Sequence, residues 1–257
     1  MRPTTAAMLT SLAALPLLGA LTLTRLAAQE AGPDRAATEE IVRQYLLENP
    51  EVIVEALERW RDTQELAAAA QSEEAALAFL PTLLSGEAGY AMGAEADEAD
   101  VLVVEFFDYH CGYCPRATDY VFGLAGQDGV RVVLQDLPIL REESRDAALA
   151  GLAAAETGDY EGLHRQLMRT GGVLNEAAVT KAARRADAKD ALALLDDDLA
   201  RARLEAKLAG SVAAAQAMGL SGTPSFVVAD PEGELVRVIP SYAPEAVTAA
   251  IEEVRAL

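Results

Sequence analysis

The hydrophobic pattern opens with an apolar run from about Leu9 to Leu23, and helical periodicity follows it. From Thr38, which is suited to an N-cap, apolar residues recur at helical spacing as far as Asn49-Pro50-Glu51, which is typical of a helix boundary. A second helix is predicted to restart at Pro50 and to end at Pro81, because proline interrupts helical hydrogen bonds.

After about residue 85 the spacing of apolar residues changes from a purely helical pattern to alternating strand and helix patterns, as in an α/β fold. Gly86–Asp100 is rich in glycine and acidic residues, which indicates a boundary or an irregular hairpin. Val101–Phe107 and Val130–Leu137 are nearly continuous apolar runs, typical of strands that are buried on both faces. Helical spacing at Ala117–Leu124 lies between them, so the sequence predicts a β-α-β unit.

The remaining residues predict a helical segment followed by a hairpin. Residues 144–219 have a helical pattern with three breaks: Gly158-Asp159, Gly171-Gly172 and the region around Asp187. Phe226–Ala229 and Glu234–Ile239 flank a turn and predict a β-hairpin, and a last helix is expected from about Pro244. This order predicts an α/β thioredoxin fold with a helical insertion domain, preceded by an N-terminal helical arm.

The first residues have the order of a secretory signal peptide: Arg2, the apolar run, then Ala27 and Ala28 before Gln29. The run is shorter than the roughly 20 residues that span a bilayer comfortably, so a retained anchor is the alternative we favour less. We expect a signal peptide at 1–28, a helical region at 29–84 and the α/β domain at 85–257, with its insert at about 144–219.

The helical arm is denser in apolar residues than a solvated linker. Its apolar positions are Tyr45, Leu46, Leu47, Val52, Ile53, Leu57 and Trp60. Such a stripe must be buried against the rest of the protein or against another copy of the chain, and we favour self-association.

The net charge of the chain is −20, and removal of residues 1–28 would make it more negative by two, because Arg2 and Arg25 would be lost without any acidic residue. A field of this sign repels phosphates and anionic membrane surfaces. Nucleic acid is therefore excluded as an expected partner, and the charge is typical of a solvated surface.

The two cysteines, Cys111 and Cys114, follow a predicted strand and precede a predicted helix. At a helix N-terminus, free N–H groups and the helix dipole stabilise a thiolate, so Cys111 is the expected nucleophile and Cys114 the resolving thiol. A purely structural disulfide and a zinc site that uses His110 or His164 are weaker alternatives, while two soft thiolates would also suit copper(I).

Three segments resemble a known family. Glu105-Phe106-Phe107-Asp108-Tyr109-His110-Cys111-Gly112-Tyr113-Cys114 resembles the active-site segment of the DsbA-like thiol-disulfide oxidoreductases, and Gly222-Thr223-Pro224-Ser225-Phe226 resembles their cis-proline loop. The stretch from Ile41 to Ile53 is similar to the N-terminal region of the suppressor-of-copper-sensitivity protein C branch, a periplasmic group.

The resemblance implies a role for each matched residue. Glu105 matches a buried acid that aids proton transfer at the second cysteine, and its apolar neighbours also favour burial. Pro224 matches the cis-proline, which would leave the backbone of Thr223 free to pair with an extended substrate. Gly112 and Tyr113 depart from the Pro-His dipeptide of strongly oxidising members, which leaves the redox direction open.

The expected function is disulfide isomerisation or oxidation in exported proteins in the periplasm, with isomerisation favoured because some relatives trimerise through their N-terminal helices. The expected partners are client proteins, a membrane redox partner that recycles the cysteines and further copies of the chain; no cofactor is expected. Two other hypotheses stay open: a copper-binding or copper-tolerance protein that uses Cys111 and Cys114 as ligands, and a chaperone-like module that binds unfolded clients.

Overall fold

The computed structural model describes residues 34–257, so the expected signal peptide lies outside the described residues. These residues form two compact units, one ending at Asp62 and the other comprising Thr63–Leu257. No helix among them is long and apolar enough to cross a membrane.

The N-terminal helices are α1, Arg35–Glu48, and α2, Glu51–Ser85. Asp34, rather than the expected Thr38, caps α1, because the Asp34 carboxylate accepts the N–H of Ala36. The expected end of α2 at Pro81 is also wrong, since the helix continues to Ser85. Leu80 and Leu83 in this last turn are buried in the apolar core, and their packing compensates for the N–H that proline lacks.

The described part of the chain contains one mixed sheet of five strands. They are β1, Tyr90–Gly93; β2, Val101–Phe107; β3, Val130–Asp136; β4, Ser225–Ala229; and β5, Val236–Ile239. Their spatial order is β1-β3-β2-β4-β5, in which β2 and β3 are parallel and the other pairs antiparallel. The central position of β2 explains why its side chains are buried on both faces.

Strand β1 lies in the segment where only a boundary or an irregular hairpin was expected. Its four residues pair with Arg131–Leu134 of β3. The strand is short and its alternation is weak, so its conformation depends on this long-range pairing rather than on local pattern.

Helices cover both faces of the sheet and form the insertion. Helix α3, Cys114–Leu124, joins β2 to β3, and α9, Pro244–Arg255, closes the chain. Five helices lie between β3 and β4: α4, Ser144–Thr157; α5, Tyr160–Arg169; α6, Glu176–Arg185; α7, Lys189–Leu195; and α8, Asp198–Ala217. The predicted breaks lie between these helices, and Gly158 and Asp187 have left-handed backbone conformations.

A buried arginine connects the end of α2 to the sheet. The Arg131 guanidinium donates to the main-chain oxygens of Leu84, Ser85 and Ala94, at 2.7, 3.2 and 2.8 Å respectively. Leu84 and Ser85 belong to the last turn of α2, where carbonyl groups lack helical partners and the helix dipole favours a cation.

We therefore expect Arg131→Met to lower the free energy of unfolding by about 2 kcal/mol, because it leaves these carbonyl oxygens without donors. Urea unfolding measures the effect. Arg145→Met is the control, since Arg145 forms an exposed ion pair with Glu205 and its loss should cost less than about 1 kcal/mol. Equal losses for the two variants would contradict the role given to Arg131.

Candidate active site

The two cysteines lie where β2 leads into α3. Cys114 is the first residue of α3 and is fully buried, while Cys111 precedes the helix and is 4% exposed. Both are free thiols. The Cys114 backbone N–H donates to the Cys111 sulfur at 3.3 Å, so a free N–H at the helix start is directed at the expected nucleophile.

This environment separates the acidities of the two thiols. The pKa of Cys111 is lowered to about 5, chiefly because the Cys114 thiol donates to its thiolate, with further stabilisation from the backbone N–H groups of Tyr113 and Cys114. The pKa of Cys114 is raised, first by burial and then because its proton is held by Cys111 and the Glu105 charge lies nearby. At neutral pH Cys111 is therefore a thiolate and Cys114 a thiol.

The cis-proline loop lies against Cys111. The Thr223–Pro224 peptide bond is cis. The Cys111 sulfur lies 3.1 Å from the Thr223 carbonyl oxygen, to which its protonated form donates, so the backbone of Thr223 reaches the reactive sulfur. Residues 112 positions apart in the chain thus meet at one side of the pair.

Glu105 lies in β2, and its side chain is buried close to the cysteine pair. Its Oε1 atom has no hydrogen-bond partner among residues 34–257. Burial, followed by the charge of Cys111, raises its pKa to about 8. A carboxyl group of this acidity exchanges protons near neutral pH, as general acid-base chemistry requires.

Asp108 organises the loop that carries Cys111, a role that the sequence did not reveal. Its Oδ1 accepts the His110 N–H at 2.8 Å, and its Oδ2 accepts the N–H groups of Ile139 and Leu140 at 3.0 and 2.9 Å. The aspartate therefore connects the cysteine loop to the β3–α4 loop. Its position directly after a buried strand was the only sequence signal for this role, and two of its partners, Ile139 and Leu140, are more than 30 residues away.

The buried side chain of His110 connects the cysteine loop to other parts of the domain. Its Nε2 accepts the Leu174 N–H at 2.9 Å, and its Nδ1 lies 2.9 Å from the Ser144 hydroxyl oxygen. Ser144 begins α4 and Leu174 precedes α6, so His110 attaches the cysteine loop to the helical insertion.

His110 and His164, the ligands considered in the weaker zinc alternative, do not form a metal site among the described residues. Within residues 34–257, no group of three or more histidine, cysteine, aspartate and glutamate side chains is arranged to hold a metal ion. His110 makes the contacts above, and His164 is fully buried with its Nδ1 3.2 Å from the Tyr109 hydroxyl.

The model of the DSBA-like thioredoxin domain family matches residues 102–252. The chain belongs to this family. A second model, the copper resistance protein ScsC N-terminal domain, matches residues 34–67. The predicted resemblance is thereby confirmed, and DsbA-like proteins are thiol-disulfide oxidoreductases.

Solved structures agree with this assignment. A thioredoxin-like oxidoreductase from Silicibacter pomeroyi is 36% identical, with a TM-score of 0.58, covering 68% of this chain and 96% of the other. Salmonella enterica Typhimurium BcfH is 26% identical, with a TM-score of 0.70 and coverages of 86% and 95%. The catalytic domain of Proteus mirabilis ScsC, at 23% identity and a TM-score of 0.60, covers 72% of this chain and 99% of its own and shares the fold.

Curated relatives match only in part. The Na(+)/H(+) antiporter NhaA 3 of Salinispora tropica is 35% identical over 134 residues, which are 51% of this DsbA-like chain and 20% of the antiporter. The NhaA 1 protein of Salinispora arenicola is 33% identical over the same length. The chain therefore spans about a fifth of the length of the curated relatives it matches.

If the Cys114 thiol is the main stabiliser of the Cys111 thiolate, Cys114→Ala should raise the Cys111 pKa above 5, whereas Cys114→Ser should keep it lower because a hydroxyl still donates. Ultraviolet absorbance of the thiolate during a pH titration measures both values. Identical Cys111 pKa values in the two variants would contradict this origin.

Proposed function

We propose that the protein is a periplasmic thiol-disulfide oxidoreductase that isomerises disulfides in exported proteins through its Cys-Gly-Tyr-Cys pair. One observation carries the proposal: a Cys111 sulfur with a pKa lowered to about 5 lies beside a buried thiol that remains protonated. One sulfur is thus prepared to attack, and the other to resolve the product.

In the proposed cycle the Cys111 thiolate attacks a client disulfide and releases one client sulfur as a thiolate. A client thiolate can then attack the mixed disulfide and form a different client disulfide, which frees Cys111 and completes isomerisation. Alternatively, Cys114 loses its proton to Glu105 and attacks Cys111, which releases a reduced client and leaves the pair oxidised. A membrane redox partner would then reduce the pair again.

The cis-proline loop supports the binding step of this cycle. Because the Thr223 carbonyl oxygen lies 3.1 Å from the Cys111 sulfur, an extended client segment that pairs with the Thr223 backbone would bring its own sulfur to Cys111. Pro224 holds this backbone and Thr223 binds the client, while Glu105 serves as the proton acceptor.

Cys114→Ser should trap a covalent adduct between Cys111 and a client, because the serine hydroxyl does not resolve the mixed disulfide. Incubation with scrambled ribonuclease, followed by non-reducing electrophoresis and mass spectrometry, measures the adduct. The matched variant Cys111→Ser should trap none, since Cys114 is buried and protonated. Equal adducts from both variants, or none from either, would contradict the proposed roles.

Self-association through the N-terminal helices is the second part of the proposal. Within the unit that ends at Asp62, large apolar side chains are exposed: Ile41, Val42, Tyr45, Leu47, Ile53, Val54, Leu57 and Trp60. Helix α1 and the start of α2 also line an open apolar groove of about 630 Å³. These features, with the match to the ScsC N-terminal domain, support an assembly of copies that holds one client near several cysteine pairs.

Leu57→Glu should therefore convert the assembly to monomers, because a carboxylate would be buried in the interface. Light scattering gives the mass, and scrambled ribonuclease gives the isomerase activity, which should fall with the mass while reduction of a small disulfide stays unchanged. Leu199→Glu is the control, since Leu199 is 81% exposed on α8. A monomeric wild-type protein with full isomerase activity would refute the link.

A further inference from the structure

A cluster of buried polar side chains lies on the Glu105 face of the sheet, and its members other than Glu105 have no part in the cycle above. Besides Glu105 it comprises Tyr109, Asp136, Tyr160 and His164, all at most 4% exposed. Among residues 34–257 no hydrogen-bond partner is found for five of its atoms: Glu105 Oε1, both Asp136 carboxyl oxygens, the Tyr160 hydroxyl oxygen and His164 Nε2.

Strand register places the two carboxyl groups together. In the parallel β2–β3 pair, Glu105 is opposite Leu134 and Phe107 is opposite Asp136. Side chains alternate along a strand, so Glu105 and Asp136 project from the same face, with Cα atoms roughly 8 Å apart on adjacent strands. One water molecule between the two carboxyl groups is enough to join them by hydrogen bonds.

The aromatic members lie around these carboxyl groups. The Tyr109 hydroxyl is 3.2 Å from His164 Nδ1, and the rings of Tyr160 and His164 stack with centroids 5.2 Å apart. Burial and the charge of Asp136 raise the pKa of Tyr109, and burial followed by the charges of Tyr109 and Asp136 raises that of Tyr160. Tyr109 and Tyr160 are therefore within electrostatic range of Asp136, and His164 contacts both tyrosines.

Helix α4 is shaped to accept the Tyr109 hydroxyl. Its core-facing positions are mostly alanine, but residue 151 is glycine, and a Cβ atom there would lie 2.6 Å from the Tyr109 hydroxyl oxygen. Glycine in a helix interior costs about 1 kcal/mol relative to alanine. The sequence thus accepts a helix-weakening residue at the point where α4 meets this polar group.

Asp136 is, like Glu105, a buried carboxylic acid whose pKa is raised. Burial, followed by the charge of Asp108, raises its pKa well above the usual range for aspartate, so the Asp136 carboxyl group holds a proton more strongly than an exposed aspartate does. Cys114 of α3 and Glu105 of β2 also face this region. The Ser211 hydroxyl of α8 donates to the Asp136 main-chain oxygen at 2.7 Å, and within the described part of the chain the carboxyl group itself has no partner.

We propose that Asp136 is a positioning residue for proton transfer, which exchanges a proton with Glu105 through water held between β2, β3 and α5. This inference rests on the proposed function, because it gives Glu105 a source of protons. Unpartnered polar groups of this kind are rare in folded proteins and are usually satisfied by internal water.

The proton is needed when the oxidised pair is reduced. A client thiolate attacks Cys111, the Cys111–Cys114 bond breaks, and its electron pair goes to the Cys114 sulfur. That sulfur takes the proton of Glu105, and the Glu105 carboxylate then takes the proton of Asp136 through the water. When the pair is oxidised again, the Cys114 proton returns along the same path.

The test uses the full chain with Asp136→Asn, which keeps the shape of the side chain but carries no exchangeable acid proton. The infrared difference spectrum between oxidised and reduced protein should contain two signals from protonated carboxyl groups, one lost in Glu105→Gln and the other in Asp136→Asn. In stopped-flow reduction by dithiothreitol at pH 7, Asp136→Asn should slow the reaction about tenfold, less than the roughly 100-fold expected for loss of the acid-base group itself.

Two further variants make the outcome decisive. Tyr160→Phe should also slow the reaction, and it tests the cluster if Asp136→Asn does not fold. Tyr90→Phe is the control: the Tyr90 ring stacks on Tyr160 with centroids 3.9 Å apart, but Tyr90 lies outside the cluster, so the rate should not change.

An unchanged rate and an unchanged carboxyl spectrum in Asp136→Asn, with an active wild-type protein, would overturn this inference and leave the proposed function intact. A wild-type pair that forms no disulfide would overturn both.

Discussion

The carboxylate of Asp108 is the constraint on which the active site depends. It is buried, and its three accepted N–H bonds fix the turn after β2 and the loop after β3 at once. Because the turn is fixed, α3 starts at Cys114, and the Cys114 N–H is directed at the Cys111 sulfur. Without those bonds the loop could place Cys111 in many positions, and the lowered pKa of its thiol depends on one of them.

His110 extends this constraint to the helical insertion. Through Ser144 and Leu174 it ties the loop to the beginning of α4 and to the segment before α6. The insertion is therefore more than an appended domain, since its loops border the same few residues that hold the nucleophile. His110 therefore gives movement of the insertion a direct path to the cysteine loop.

The sequence predicted those features that depend on local pattern. Strands β2 and β3 follow from uninterrupted apolar runs, and burial of Glu105 follows from its neighbours in β2. Strand β1 was not predicted because its conformation comes from pairing with β3. The helix end predicted at Pro81 was wrong because packing of Leu80 and Leu83 continues α2 past the proline. The contacts of Asp108 and His110 could not be predicted, since they join residues that only the folded chain brings together.

The acidity of Cys111 affects more than its readiness to attack. A pKa near 5 instead of 9 raises the thiolate fraction at pH 7 from about 1% to nearly all of the molecules. The same change lowers the intrinsic nucleophilicity of the sulfur by roughly 40- to 100-fold, since nucleophilicity falls with pKa. The two effects on the rate of attack nearly cancel. The lowered pKa then acts mainly on the reverse step, because a weakly basic sulfur is a good leaving group from a mixed disulfide. The site thus favours the release of bound clients as much as their capture.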